Sequence, residues 1–229
     1  QLASLFALAC TTPYWVRRIE DRTGSRIQAL VYGASLAAVA GTTSALLMVA
    51  MAPEVLEADN LVDVFTACFG ALKTILSHPA IHIPALVAAL LLGALLIRAA
   101  ITGAKLALTG FRARREAQRL HDVEAEALVP QPWRGRVIVT GQEEPVAYVT
   151  GLLSPTIVVS SGLLGQLDEA ERTATLAHED AHRRHRHHWL LFVGRCVARA
   201  LSPLPPAAEG FRGLRRALEA RADDEARRV

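Results

Sequence analysis

From Ile27 to Met51 the chain reads IQALVYGASLAAVAGTTSALLMVAM, and no charged residue occurs between Arg26 and Glu54. A run of this length crosses a hydrocarbon core of about 30 Å as an α-helix and is far longer than an ordinary strand. A second charge-free block, between Lys73 and Arg98, contains IPALVAALLLGALLI and continues past Arg98 into AAITGAKLALTG. There Arg98 and Lys105 can extend their charged ends toward an interface. Membrane spans are therefore expected near 27–51 and 80–106. Composition agrees, with 52% hydrophobic but only 5% aromatic residues. A buried helical hairpin in a large soluble protein is the alternative reading of the same runs.

Residues 1–16, QLASLFALACTTPYWV, carry no charge and end on Tyr14 and Trp15, side chains favoured at a membrane interface. They are expected to be the last turns of a further span. A cleaved signal peptide fits less well, because the basic residues follow the apolar run instead of preceding it. The chain starts at Gln1 and stops at Val229 within a charged helical pattern, so a fragment, truncated at its C-terminus, is expected.

Loop charges set an expected orientation. Arg17, Arg18, Arg22 and Arg26 follow the first apolar run, and Arg112, Arg114, Arg115 and Arg119 follow the last. Residues 52–72 hold Glu54, Glu57, Asp59 and Asp63 and no Lys or Arg. The positive-inside rule puts both basic segments in the cytoplasm and the acidic loop outside. Within that loop, LVDVFTACFGALKTIL has the periodicity of an interfacial or re-entrant helix. The chain divides into a transmembrane region, 1–110, and a cytoplasmic segment, 111–229. Cys10, Cys68 and Cys196 are odd in number, far apart and in apolar settings, which argues against a disulfide framework or a thiolate metal site.

The cytoplasmic segment opens with a charged helical pattern from Phe111 to Glu126. Pro and Gly then punctuate three short β-branched runs, Arg136 to Thr140, Val146 to Thr150 and Thr156 to Ser160, which predict a small sheet. Asp168 and Glu171 have capping-box spacing at the start of a helix expected to run through ERTATLAHEDAHRRHRHH. His178, Glu179 and His182 form H-E-x-x-H within it. On a helix His178 and His182 share a face one turn apart, near enough to hold one metal ion, with Glu179 beside them. A catalytic site needs a third protein ligand and an open position. Glu219 and Asp223, again four apart, could face the histidines if SPLPP, 202–206, reverses the chain.

His185, His187 and His188 fall among Arg183, Arg184 and Arg186 and are read as a basic helix end facing phosphates or solvent, with no catalytic part. His78, His82 and His121 are read as interface or surface residues. The apolar stretch 189–201, WLLFVGRCVARAL, fits either membrane entry or a packed amphipathic helix.

Residues 137–224 resemble the membrane-anchored gluzincin metallopeptidases, specifically the BlaR/MecR-type integral-membrane peptidases and more distantly the HtpX and CAAX prenyl protease relatives. The resemblance rests on PTIVVSSGLLGQLDEAERTATLAHEDAH and on LEARADDEA downstream. It implies a membrane protein of α+β class, with transmembrane helices ahead of a small zincin-like domain. It also implies zinc held by His178, His182 and Glu219, a general base at Glu179, and a supporting carboxylate at Asp223. A substrate peptide would pair with the strand Ala147, Tyr148, Val149 and Thr150.

The expected activity is thus a zinc endopeptidase acting on a protein or peptide at the cytoplasmic face of the plasma membrane, in contact with the bilayer, with a possible role in regulatory signalling. A non-enzymatic membrane transducer or partner-binding module is the rival. A basic nucleic-acid-binding module is a weaker one: topology already accounts for the arginines, the net charge is only +3, and no nucleic acid is expected.

Overall fold

The computed structural model describes residues 2–18, 24–51, 59–77, 83–202 and 204–229. Arg22, Glu54, Glu57, His78, His82 and Pro203, which entered the sequence reading, lie outside them. Four helices come first: α1 (Leu2–Arg18), α2 (Ser25–Met51), α3 (Leu61–Ser77) and α4 (Ile83–Arg119). Among the described residues two helices are long and apolar enough to cross a membrane, over Ser25–Ala50 and Ala85–Arg119. Only 17% and 6% of their apolar windows are buried. A soluble core helix would hide that surface, so the buried-hairpin alternative leaves it unexplained. α1 is shorter, contains Pro13 and packs on α2. In α3, Asn60 accepts hydrogen bonds from the Val62 and Asp63 amides, and Leu61, Val62, Phe65 and Phe69 stand exposed.

The expected helix over 111–126 stops early, because α4 ends at Arg119. Asp122 then bonds the amides of Glu124 and Ala125 through its side chain, and a short 3₁₀ turn, Ala125–Leu128, leads into the sheet. Such side-chain capping competes with helix continuation. The three strands are β1 (Val137–Thr140), β2 (Ala147–Thr150) and β3 (Thr156–Ser160), in the order β1-β3-β2. β1 is parallel to β3, with Val137 opposite Ile157, and β2 is antiparallel to it, with Ala147 opposite Val159. Ile157, Val158 and Val159 are fully buried, as the central strand of a covered sheet should be. Val139, Ile157, Val159, Leu164 and Leu176 share one core, which fixes the sheet against the first turns of the helix that carries H-E-x-x-H.

α5 (Ser161–Gln166) starts on the Ser160 hydroxyl, which accepts from the Leu163 amide. α6 (Glu169–Arg184) begins with the expected capping box: the Asp168 carboxylate accepts from the Glu171 amide at 2.8 Å, and the Glu171 carboxylate from the Asp168 amide at 2.9 Å. The helix does not continue through His188. It ends at Arg184, Arg186 takes a left-handed conformation at φ 51°, and a new helix, α7 (His187–Ala200), starts there. That conformation costs a non-glycine residue roughly 1–2 kcal/mol. It turns His187 inward. α7 packs on α4 and on α8 (Pro205–Ala226), with Leu190 and Val193 exposed, so 189–201 forms an amphipathic helix against the bundle.

α8 runs back past both α6 and α2. Its inner face is small where it meets α2: a Cβ on Gly213 would lie 2.3 Å from the buried Tyr32 ring, and one on Gly210 would lie 3.2 Å from Leu36. Leu214 and Leu218 complete the contact with Val16, Tyr32 and Leu36. Buried Glu209 binds Arg212 at 2.6 Å and reaches Arg17 of α1 at 3.7 Å. Arg212 holds the Glu209 carboxyl below the usual range.

Gly213→Ala should therefore destabilise the chain by about 1–3 kcal/mol, because the added methyl overpacks a filled interface. Gly165→Ala, where a Cβ meets nothing within 4 Å, should not. Thermal unfolding of the detergent-solubilised chain compares the two, and equal stability would deny the α8–α2 contact.

Candidate metal centre

His178 and His182 project from α6 toward α8, and their Nε2 atoms approach to 3.2 Å. The Glu219 carboxylate oxygen Oε2 lies 3.6 Å from His178 Nε2 and 3.3 Å from His182 Nε2. These three residues form a group able to hold a metal ion. A four-coordinate ion with bonds of about 2.0–2.1 Å requires ligand atoms about 3.3 Å apart. The triangle has that size.

The far sides of both imidazoles are also committed. His178 Nδ1 lies 2.9 Å from Asp223 Oδ1, so its proton sits there and Nε2 keeps its lone pair. His182 Nδ1 lies 3.1 Å from His187 Nδ1. If His182 presents its Nε2 lone pair to an ion, its Nδ1–H must donate, and His187 Nδ1 must accept. His187 suits that role: it is fully buried, and burial lowers its pKa to about 3, which keeps it neutral.

The electrostatics favour a cation. Contact with His178 and His182 holds the Glu219 carboxyl far below its ordinary range, and the same contact with Glu219 raises His178. Glu179, next to His178 in sequence, has no ion pair among the described residues, and burial pushes its pKa up. An acid raised in this way is poised to take up and return a proton.

A polar lattice beyond the triangle clamps the C-terminal ends of α6 and α8. Asp180 binds Arg183 at 2.7 Å and Arg184 at 3.0 Å, and Arg184 reaches Glu225 at 3.2 Å. His185 bridges Glu225 and Arg221 through its two nitrogens. His188 Nε2 meets the Leu152 carbonyl at 3.2 Å, tying α7 to the loop after β2. Reading these three histidines as a solvent-facing helix end is thus incorrect. The break at Arg186 turns His187 under His182, and His185 and His188 find partners on α8 and beside β2. The charged surroundings in sequence hid this, and only the i+5 spacing from His182 to His187 offered a signal.

β2 is an edge strand, bonded to β3 on one side, with Tyr148 exposed and Thr150 buried. The Thr150 hydroxyl donates to the Gly110 carbonyl of α4 at 3.1 Å, and Arg114 donates to the Ser154 carbonyl at 2.6 Å.

Residues 111–204 match the model of Peptidase family M48. The chain is also similar to a protease HtpX homolog of Acidiphilium cryptum (strain JF-5), 37% identical over 91 residues, which cover 39% of this chain and 31% of the relative. The chain thus spans less than a third of that relative's length. No solved structure matches it significantly. These similarities support a metallopeptidase of the M48 and HtpX kind, the more distant part of the expected resemblance. The family match contains H-E-x-x-H and ends before Glu219.

If His187 holds the tautomer of His182, His187→Phe should weaken metal binding about 10–100-fold, as loss of an outer-shell partner does. His187→Asn, which restores an acceptor, should recover much of it. Competition with a chromophoric chelator measures both, and unchanged affinity in His187→Phe would remove that role.

Proposed function

We propose that the chain is a membrane-anchored zinc endopeptidase that hydrolyses peptide bonds in a protein at the cytoplasmic membrane face. The convergence of His178, His182 and Glu219, with Glu179 beside them, carries this reading. Two imidazoles and one carboxylate are a donor set suited to zinc. The M48 match and the HtpX homolog supply the peptidase class, and the exposed apolar helices α2 and α4 supply the anchoring. The placement of basic residues after the apolar runs supports the cytoplasmic side and the multi-pass layout of BlaR/MecR-type enzymes.

When bound, zinc supplies Lewis acidity to the scissile carbonyl and lowers the pKa of the attacking water. Glu179 takes the proton from that water onto a carboxylate oxygen and passes it to the leaving amine nitrogen. Its raised pKa makes the uptake step easier than it would be for an ordinary carboxylate. Asp223 and His187 accept the Nδ1 protons of His178 and His182 and hold both rings in place. The substrate backbone adds to the open edge of β2, along Ala147, Tyr148, Val149 and Thr150.

Three preparations of the full chain test the assignment. Glu179→Gln should keep about one metal per chain and lose cleavage by at least about 10²-fold. Glu219→Ala should lose most of its metal, because a three-ligand site is left with two. Wild-type cleavage of an unfolded protein substrate should stop with chelator and return with zinc. A wild-type chain that binds no metal would end this reading.

A further inference from the structure

A cleft of ≈ 300 Å³ opens between α4, α7, α8 and the end of β2. Its apolar wall comes from Leu106, Ala107, Leu191, Phe192 and Phe211, and Arg195 and Arg215 stand at it. A second groove shares Leu106 and Arg195 with it and runs on along α4 and α7, adding Arg98, Lys105 and Arg199. No carboxylate lines either one. Arg98 donates to the Arg199 carbonyl and the Ser202 hydroxyl. Among the described residues, the side chains of Lys105, Arg195, Arg199 and Arg215 make no hydrogen bond or ion pair.

The spacing is regular. Arg98 and Lys105 are two turns apart on α4, and Arg195 and Arg199 are one turn apart on α7, so each helix turns a pair of cations to the groove. The helices are held close at Gly103, where a Cβ would lie 3.5 Å from Phe192 and 3.7 Å from Cys196. Arg98 and Lys105 fall within the apolar helix that can cross a membrane. Cations gathered at the interfacial end of an apolar helix favour a counter-charge, and no carboxylate lines either groove.

We propose that this continuous cleft binds one anionic phospholipid, with its phosphate among Arg98, Lys105, Arg195 and Arg199 and an acyl chain along Leu106, Leu191, Phe192 and Phe211. The inference rests on the membrane anchoring proposed above and is independent of the peptidase chemistry. Charge complementarity selects the head group, since five cations without an acid favour a net negative head group over a zwitterion, whose ammonium they repel. The apolar wall selects a lipid over a free anion. Basic pockets against membrane helices on the cytoplasmic side take anionic head groups for these reasons. The site lies against β2 through Val149, Thr150 and Leu152, so a bound lipid would border the edge where substrate adds.

The test uses the full chain purified in neutral detergent, with phosphatidylglycerol, phosphatidylcholine or soluble glycerophosphate added. Lipid adducts are counted by native mass spectrometry, and thermal unfolding is followed in parallel. The expected result is a preference for phosphatidylglycerol over phosphatidylcholine of roughly tenfold or more, with little response to glycerophosphate. Arg195→Gln combined with Arg199→Gln should abolish the preference, Arg195→Lys with Arg199→Lys should keep most of it, and Arg134→Gln, outside the cleft, should leave it intact. Equal binding of the two lipids, or an unchanged preference in the Gln pair, would overturn the proposal. So would full stabilisation by glycerophosphate, which would leave an anion site without a lipid. A chain that stays in water and never partitions into detergent micelles would sink the anchoring itself, whereas one that partitions without discriminating lipids would sink only this site.

Discussion

The arrangement depends on how closely α8 lies against α2. Gly210 and Gly213 remove the side chains that would separate the two helices, and Tyr32 and Leu36 fill the space they leave. With Leu214 and Leu218 in the same contact, the rotation of α8 about its axis is fixed. Glu219 follows Leu218 directly, so the face turned to α6 is the one that carries Glu219 and Asp223. The Glu209 cluster fixes the other end of the helix against α1. Glycine within a helix ordinarily costs about 1 kcal/mol relative to alanine. Here the close approach offsets it with buried aromatic and aliphatic contact.

On the two metal-facing imidazoles each Nδ1 proton has an assigned place. Asp223 takes one Nδ1 proton and His187 the other, which leaves two Nε2 lone pairs and one carboxylate oxygen converging on a point. A histidine as acceptor differs from a carboxylate in that it adds no charge. With Asp223 already beside His178, the use of a neutral ring under His182 limits the negative charge gathered around the two imidazoles. The lattice of Asp180, Arg184, His185, Arg221 and Glu225 then closes the far side with paired charges.

Much of this was legible in the sequence because the relevant signals are local. The charge-free run after Arg26 marked α2, β-branched runs between Pro and Gly marked the strands, and Asp168 with Glu171 marked the start of α6. The four-residue spacings of His178 with His182 and of Glu219 with Asp223 gave faces, and the prolines after Ser202 gave the reversal between them. The break at Arg186 was not legible, since RRHRHH contains neither Gly nor Pro and a left-handed arginine leaves no trace in composition. His187 was missed for the same reason: its burial is a product of that break. The role of Gly210 and Gly213 was hidden as well, because the partner that makes them necessary sits on α2, far away in the chain.

The two walls of the cleft hang from different long helices. β2 is fastened to α4 through Thr150 and Gly110, with Arg114 holding the Ser154 carbonyl just beyond, while α8 is fastened to α2 through its glycines. α2 and α4 themselves lie side by side. The width of the gap is therefore a lateral dimension, set by how far apart two apolar rods stand, as the jaws of a caliper follow its handles. Anything wedged between the rods would widen the jaws without touching a single residue inside them.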